Sequence, residues 1–549
     1  MRMRHYLTKS RFKLAMECPT KLYFTRQPEI YKNVKGENEF LESLAEGGFQ
    51  VGKMATLLFP DGIEIQARKN QEALDETNQL LSTHEDIVLF EPAFAFEGLL
   101  VRVDIFVRMG SSIELIEVKA KSYDSEGPNF FGNRTAIKSG ILPYVEDIAF
   151  QKHVVSRTFP KADVKAFFMM PDKAVAAKTD DLNQSFRIRN INALKTVTTT
   201  SLAGEQVKAN FSMLKKIPVD KYTDIIMENP LDFPGSELSS DDYLPSRSTI
   251  WASKYNNNIK IETPPHKGCK DCEFRAQNDE PYKSGYHECL EQFTNLSREE
   301  IDRGTVLDIW RYRKKEELMD AGIFKITDAK NYVDVKSSDE GLSVTERQML
   351  QIAGIPDEED KGGFYFDANY FKSVNSQWAY PFHFIDFETC TVALPFFKGM
   401  RPYESIAFQF SHHVMHANGK VEHRNQVLIA EPGQFPNFDF IRELKKSLST
   451  DAGTIFRWAA HENTILNQIK EQLLSHTQVP ADKAKLIKFI ESITNDADRS
   501  MVDLNEIAVR CYFHPETQGR TSIKKVLPAV LKTSKLLKDE YSKPISNNL

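Results

Sequence analysis

An α/β chain of several domains is what the sequence predicts, and three observations predict it. At 549 residues the chain exceeds what one hydrophobic core organises, so about two to four domains are expected. Up to Met170 the apolar pattern runs helix, strand, strand, strand, helix, strand, the order of one sheet flanked by helices. After Pro381 a second α/β pattern begins, set apart by a charged, helix-rich stretch from about 292 to 372. No internal repeat or low-complexity tract interrupts either pattern.

The elements follow in order. Residues 1 to about 60 hold short amphipathic helices, "NEFLESLAEGGFQVGKMATLLF" among them, ending near Pro60, Asp61 and Gly62. "NQEALDETNQLLST" has helical spacing, and "DIVLFEPAFAF" reads as a strand. "LLVRVDIFV" and "ELIEVKA" read as a hairpin turning at Gly110, Ser111 and Ser112. A helix, "YVEDIAFQKHVVSRTF", and a strand, "VKAFFMM", complete this half. In the middle, "SREEIDRGTVLDIWRYRKKEELMDAG" is charged and helical, opened by a capping box of Ser297 and Glu300. "AGIFKITDA" then supplies a glycine turn, and a small helical module of the helix-hairpin-helix kind is expected. Past Pro381 come "FHFIDFETC", "SIAFQFSHHVM", "RNQVLIA", a helix from Phe438, and "MVDLNEIAVRCYF". The expected domains are 1–291, 292–377 and 378–549.

Composition narrows the class. Hydrophobic residues at 41% with 27% charged read as soluble and globular. No apolar run approaches the ~18 residues that cross a bilayer. Lys9, Arg11 and Lys13 break any apolar leader, so a cytoplasmic location without a membrane partner is expected. A net charge of −6 argues against a globally basic surface but leaves room for local basic patches.

Three constellations carry chemistry. Asp104 lies inside "LLVRVDIFV", while Glu117 and Lys119 interrupt "ELIEVKA", where core strands carry no charge. Two carboxylates at adjacent strand ends are what Mg²⁺ or Mn²⁺ takes, and a nearby ammonium can orient water or stabilise developing negative charge. The plainer alternative is a solvated hairpin in which Glu117 pairs with Lys119. The pattern "G-x-x-V-R-x-D" before "E-h-h-E-V-K" resembles the RecB-like branch of the PD-(D/E)XK nuclease superfamily. That resemblance implies a nuclease core, with Gln151 of "DIAFQ" as the glutamine on the following helix. It also implies an upstream acid or histidine on an N-terminal helix, for which Glu46 in "SLAEGGFQVGKMA" is the candidate. The proline of the family name is not matched before Asp104.

Six cysteines in so long a chain are not a disulfide framework. Cys18 in "KLAMECPTKLYF", with Cys269, Cys272 and Cys289 in "HKGCKDCEFRAQNDEPYKSGYHECL", offers four soft ligands. They suit a [4Fe–4S] cluster or, as the alternative, Zn²⁺; unliganded core cysteines are the third possibility. One cysteine before the nuclease pattern and three after it resembles RecB-like nucleases with an iron–sulfur staple, and "CPTKLYF" fits the surroundings of their first cysteine. His287 stands beside Cys289 as a substitute ligand, and Cys390 and Cys511 are expected in core or edge positions.

The third constellation is Asp386 and Glu388 in "FHFIDFETC", two apart and so on one face of a strand. Flanking Phe382, Phe384 and Phe387 argue that the pair is buried. This D-x-E strand resembles the first motif of DnaQ-like, RNase H-fold 3′–5′ exonucleases, whose acids come from three motifs. Glu462 of "WAAHENTIL", beside His461 and Asn463, would be the second-motif acid. The following segment resembles an uncharacterised bacterial branch commonly fused to RecB-like nucleases. Asp503 there is either a ligand or the N-cap of its helix. Past a turn expected at Pro528 only Asp539 and Glu540 remain, so a C-terminally incomplete acid site is expected.

Together the resemblances imply a PD-(D/E)XK core, a helical linker module and an RNase H-like domain in a Mg²⁺- or Mn²⁺-dependent DNA nuclease. Its substrate would be DNA, single-stranded or with free ends, in repair or anti-phage defence alongside protein partners. Arg11, Lys13, Lys121, Lys524 and Lys525 are candidate phosphate contacts. A non-catalytic nucleic-acid-binding scaffold and an RNA-directed 3′–5′ exonuclease are the alternatives.

Overall fold

The computed structural model describes residues 5–37, 39–127, 130–131, 136–191, 194–200, 203–429, 431, 433–475, 480–494 and 497–541. Its architecture is mixed α/β with several sheets, and its contacts form two compact units. The first comprises residues 1–264, 271–289 and 391–404; the second comprises 265–270, 290–390 and 405–549. No helix among the described residues is long and apolar enough to cross a membrane.

The first unit begins with β1 (Leu7–Thr8), α1 (Lys9–Glu17), α2 (Lys21–Thr25), α3 (Glu39–Thr56), β2 (Ile63–Glu64) and α4 (Asn70–Thr83). Then come β3 (Ile87–Phe90), β4 (Ala93–Phe96), β5 (Leu99–Arg102), β6 (Ile105–Met109), β7 (Ser112–Val118), α5 (Leu142–Thr158) and β8 (Asp163–Pro171). It continues with β9 (Phe186–Ile191), β10 (Leu194–Thr199), α6 (Ala203–Ala209), β11 (Leu214–Pro218), α7 (Asp220–Glu228) and α8 (Leu244–Asn256), and the first half of α9 (Gly285–Thr294) also belongs to it. The main sheet runs β11-β8-β7-β6-β3-β2, with β6 and β7 an antiparallel hairpin and β7 and β8 parallel. Parallel neighbours need a long crossover, and α5 provides it.

The apolar runs read in the sequence exist because this sheet is covered on both faces. Ile113, Leu115, Ala166 and Phe168 pack with Phe12 of α1 and Val145, Ile148 and Ala149 of α5. On the opposite face Ile105, Val107 and Ile116 pack with Val51, Met54 and Ala55 of α3.

Two stretches that read as single strands are each broken in two. Pro92 has no N–H for a ladder, and Glu91 takes a left-handed backbone (φ 55°), so "DIVLFEPAFAF" splits into β3 and β4. "LLVRVDIFV" splits at the same level, into β5 and β6. The breaks are tied together by Glu91 N–H to Asp104 O (3.2 Å) and Val103 N–H to Pro92 O (3.1 Å). The outer halves leave the main sheet for a three-stranded one, β1-β5-β4. Asp104 sits at this crossing.

The second unit contains α10 (Arg298–Arg303), α11 (Lys315–Asp320), α12 (Val344–Ala353), β12 (Tyr365–Phe366), α13 (Ala368–Asn375), β13 (Phe382–Cys390), β14 (Ile406–Met415) and β15 (Val421–Leu428). It ends with α14 (Asn437–Leu448), β16 (Ile455–Arg457), α15 (His461–Ser475), α16 (Lys483–Ile493), β17 (Val502–Asp503), α17 (Leu504–Cys511), β18 (Tyr512–Phe513), α18 (Ile523–Thr533) and α19 (Lys535–Tyr541). Its five-stranded sheet runs β15-β14-β13-β16-β17. β13, β14 and β15 are antiparallel in turn, while β13, β16 and β17 are parallel. Leu444, Leu466, Ile469 and Ile490 of α14, α15 and α16 cover Ile385, Phe387 and Phe410.

The segment read from sequence as a helical module falls within this unit. Arg347 of α12, 1% exposed, donates to the carbonyls of Val509 (3.2 Å) and Gly519 (3.2 Å) and stacks against Trp310 and Phe513. The capping box of Ser297 and Glu300 forms, but the helix it opens stops at Gly304 (φ 122°). Ile301, Val306, Leu307 and Ile309 are all buried, and a straight helix would spread them around its circumference. At Pro528 there is no turn: α18 runs through it, burying Val526 and Ala529 and leaving the ring exposed. The last polar residues, 542–549, lie outside the described residues.

Deep in the second unit, a chain of polar groups joins β13 and β14 to α14. Asp451 Oδ1 lies 2.7 Å from His383 Nε2, His383 Nδ1 lies 2.9 Å from His412 Nε2, and His412 Nδ1 lies 2.7 Å from Ser447 Oγ. With Asp451 accepting, each histidine donates toward the aspartate and Ser447 donates at the far end, which requires both imidazoles neutral. Both rings are fully buried, and burial pushes His412 down to about 4, with His383 adding to the effect. Burial also lowers His383, against the pull of Asp451. Since the unfolded chain binds these protons first, stability from this pair is complete above about pH 6.5 and lost as pH falls toward 4. Urea midpoints of the full chain should show roughly 2 kcal/mol of this loss between pH 7 and pH 5. The loss should be largely absent in His412→Asn; an identical pH dependence in that variant refutes the assignment.

Candidate active site

Strand register builds the first cluster. Ile105 pairs with Ile116, so the next residues outward, Asp104 and Glu117, face each other where the β6–β7 ladder ends. Asp104 Oδ2 accepts the Val118 N–H at 2.7 Å, which anchors its carboxylate beside the strand end. Glu117 is 1% exposed. Lys119 Nζ hydrogen-bonds Glu117 and lies 3.2 Å from Asp147 Oδ2. From α5, Gln151 Nε2 donates to Glu117 Oε2 at 2.8 Å and to Asp147 Oδ1 at 3.2 Å. Asp104, Glu117, Lys119 and Gln151, far apart in sequence, thus meet at one point.

Two members of the cluster were not read from the sequence. Asp147, fully buried, lies four residues before Gln151 on the same helical face, a spacing that could have flagged it. Lys9 carries no local signal. β1 pairs in parallel with β5, Thr8 against Leu100, so the next residue begins α1 beside the strand crossing. Its Nζ lies 3.0 and 3.2 Å from the two Glu117 oxygens and 3.7 Å from Asp104 Oδ1. Glu46, the acid expected upstream, is exposed on α3, whose buried residues pack on the opposite face of the sheet from Lys9 and Gln151.

Charge is balanced inside the cluster. Burial opposes ionisation of Glu117, yet the Lys9 and Lys119 ammonium groups and the Lys119 and Gln151 hydrogen bonds hold its pKa well below the usual carboxylate range. Burial and the neighbouring Glu117 charge push Asp104 up to about 7, against Lys9. Burial and Glu117 likewise raise Asp147. Lys119 remains a cation: burial works against it, but Glu117 and Asp147 outweigh that.

Among the described residues no three His, Cys, Asp or Glu side chains gather as a ready metal-binding group; here the acids are interleaved with lysines. The Asp104–Glu117 pair still has the chemistry a hard divalent cation takes, since an ammonium already lies between the two carboxylates. Gln151 Oε1 is buried and has no hydrogen-bond partner among the described residues. The expected phosphate contacts are placed variously. Arg11 binds Thr8 and the Tyr255 hydroxyl, Lys121 lies over the Tyr144 ring with Lys119, and Lys524 and Lys525 are exposed on α18. Lys13 lies near enough to Glu146 to offset part of its burial.

Cys18 caps the C-terminal end of α1. Cys272 and Cys289 pack on the aromatic group of Phe24, Tyr31 and Phe274. Lys21 of "CPTKLYF" is buried and pairs with Glu17 (2.9 Å) and with Glu273 (2.6 Å), joining the N-terminal motif to the residue after Cys272. Burial pushes the Cys272 thiol up to about 11, with Cys18 and Glu273 contributing. A thiolate there needs a cation, the chemistry of a soft metal's ligand. Cys269 lies in the 265–270 segment grouped with the second unit, and its Sγ is 3.4 Å from the His266 nitrogen. His287 is buried with Nδ1 2.7 Å from Ser284 Oγ.

The second cluster lies where the parallel strands β13, β16 and β17 end. Asp386 and Glu388 share a face of β13, but they are exposed, not buried: Ile385 and Phe387 take the core face. A β-bulge follows Glu388, re-aiming the strand end. Glu462, at the start of α15, is 4% exposed, and its Oε2 has no partner. Burial, then Asp386 and Asp503, push it up to about 7, against Arg457. Asp503 belongs to this electrostatic group and is also the N-cap of α17, accepting from Asn505 (2.9 Å) and Glu506 (3.3 Å). It further binds Arg457 (2.8 Å) and the N–H of Ala459 (3.0 Å), whose left-handed backbone (φ 68°) is a strained turn for a residue with a Cβ. Asp539 and Glu540 are exposed on α19.

A raised folded-state pKa means that Glu462 costs stability once pH exceeds the unfolded value of about 4.3, increasingly up to about 7. Glu462→Gln should therefore raise the stability of metal-free protein at pH 8 by roughly 1–3 kcal/mol, with little change at pH 4.5. Thermal melts at both pH values test this, and an equal or lower Tm at pH 8 contradicts it.

Residues 383–522 match the model of a family described as a domain of unknown function (DUF2779), a stretch holding Asp386, Glu388, Glu462 and Asp503. No curated protein and no solved structure matches the chain.

Proposed function

We propose that the protein is a metal-dependent nuclease that hydrolyses phosphodiester bonds of DNA, with its principal site at Asp104, Glu117, Lys119 and Gln151. The observation that carries this reading is the convergence of these four side chains on one strand end, from β6, β7 and α5. A hairpin followed by a helical crossover into a parallel strand is the core a PD-(D/E)XK-like fold requires, and it supports that resemblance. The five-stranded sheet, with β13 central and acids at the ends of β13 and β17, supports an RNase H-like reading of the second unit.

Asp104 and Glu117 would hold Mg²⁺ or Mn²⁺, which supplies positive charge to the phosphate and an acidified water. Lys119 places a second positive charge beside the reacting phosphate, where negative charge accumulates during attack. Gln151 fixes Glu117 by donating one N–H, and α5 thereby sets the carboxylate's direction. Cys18, Cys272 and Cys289 of the first unit would supply thiolate ligands to a [4Fe–4S] cluster, or to Zn²⁺. In the second unit Asp386, Glu388, Glu462 and Asp503 form the acid group of a further metal site.

Purified full-length protein with an Asp386→Ala background isolates the principal site. Labelled single- and double-stranded DNA should be cut with Mg²⁺ or Mn²⁺ and left intact with EDTA. Glu117→Gln and Lys119→Met should each lower the rate by at least about a hundredfold without loss of folding. Rates within twofold of the parent would remove these residues from the chemistry. Anaerobic preparations should be brown with a broad visible charge-transfer band; a colourless protein with stoichiometric zinc would overturn the iron–sulfur assignment.

A further inference from the structure

Lys9 occupies a position that no other group in the first cluster shares. Its ammonium is the cation that spans Glu117 (3.0 and 3.2 Å) and Asp104 (3.7 Å). Lys119, the other nearby ammonium, is turned to Glu117 and Asp147. Gln151 is neutral and reaches Glu117 and Asp147. Asp104 has one oxygen on the Val118 N–H, and the oxygen facing Lys9 has no other strong donor among the described residues. Two carboxylates facing each other across a ladder end, one of them 1% exposed, repel unless a cation lies between them.

We propose that Lys9 is a built-in counter-ion of the candidate metal site: its ammonium holds the space between Asp104 and Glu117, and a divalent cation must displace it to bind. This rests on the metal-site reading above and deepens it by naming the residue that sets metal affinity. The geometry allows the displacement. Lys9 is the first residue of α1, its side chain is 25% exposed, and its stem is long and flexible. Its described hydrogen bonds and ion pairs are with these two carboxylates, and moving the ammonium out also withdraws its longer-range support of the Asp147 and Glu91 charges. The competition keeps the pair folded and charge-compensated without metal, and it weakens the site's hold on metal by the same interaction.

Mn²⁺ binding to metal-stripped full-length protein, followed by the electron paramagnetic resonance of free Mn²⁺, tests this without reference to activity. Glu117→Gln marks the binding that belongs to this site. Lys9→Met should bind Mn²⁺ at least about tenfold more tightly than the wild type, because the competing charge is gone. Lys9→Arg, which keeps the charge, should stay near the wild type, and Lys119→Met should gain less than Lys9→Met. Metal-stripped Lys9→Met should also melt below the wild type and recover with Mn²⁺. Should Lys9→Met not fold, Lys9→Gln gives the same comparison while keeping a donor to Glu117. Glu117-dependent binding that is unchanged or weaker in the Lys9 variants overturns the role of Lys9 and leaves the metal site standing. Equal gains in Lys9→Met and Lys119→Met reveal a general charge effect and also overturn it. Absence of Glu117-dependent binding in every variant overturns the metal-site reading itself, and the proposal with it.

Discussion

Keeping Glu117 ionised while almost wholly buried is the constraint on which the first unit's site depends. An isolated charge removed from water costs several kcal/mol even after relaxation, so its partners must arrive with the fold. They come from three places: Lys9 from α1, Lys119 from just beyond β7, and Gln151 from α5. Each requires a piece of topology. The β1–β5 pairing places Lys9, the hairpin places Glu117 beside Asp104, and the crossover to β8 sets α5 over the strand end. The electrostatics and the chain path therefore specify each other. A shift of one residue in β7 would turn Glu117 to the opposite face, among Ile105, Val107 and the α3 side chains.

The two acid clusters share a plan and differ in how charge is compensated. Both stand at strand ends, where backbone is available and apolar packing gives way to access. In the first, lysines alternate with carboxylates, so the group is close to balanced. In the second, Asp386 and Glu388 face solvent, Glu462 is buried with an unpartnered oxygen, and Arg457 is engaged by Asp503. One cluster supplies its own cations, whereas the other carries surplus negative charge. Asp503 serves two ends at once: the hydrogen bonds that cap α17 also hold its carboxylate near Glu462.

Helix α1 links the first cluster to the cysteines. Lys9 begins it and Cys18 caps its other end, so the nine-residue helix sets them about 13 Å apart along a rigid axis. Lys21, buried against Glu17 and Glu273, fixes the segment that follows to the strand of chain carrying Cys272. Phe12, from the middle of α1, stacks on Phe150 of α5 at 4.4 Å, one residue before Gln151. The helix is thereby held on three sides before any metal is considered.

The sequence by itself determined what depends on near neighbours. The bounds of α4 match "NQEALDETNQLLST" because helical spacing is a relation among residues a few positions apart. The β6–β7 hairpin, the α5 helix and the Ser297–Glu300 box were legible for the same local reason, whereas the grouping of Gln151 with Asp104, Glu117 and Lys119 was implied by the resemblance to a nuclease family. Only the tertiary structure decided the rest. Lys9 lies 108 residues from Glu117, and no local pattern reports a contact made through a two-residue parallel pairing. The breaks at Pro92 and Val103 follow from two sheets claiming one hairpin. Asp386 is exposed because the neighbouring phenylalanines divide between the two faces of β13, which composition alone does not resolve. Residues 391–404 join the first unit although their neighbours on both sides belong to the second. Periodicity records which face a side chain takes; what lies opposite that face is set by strand register and crossover, which couple residues the local pattern cannot relate.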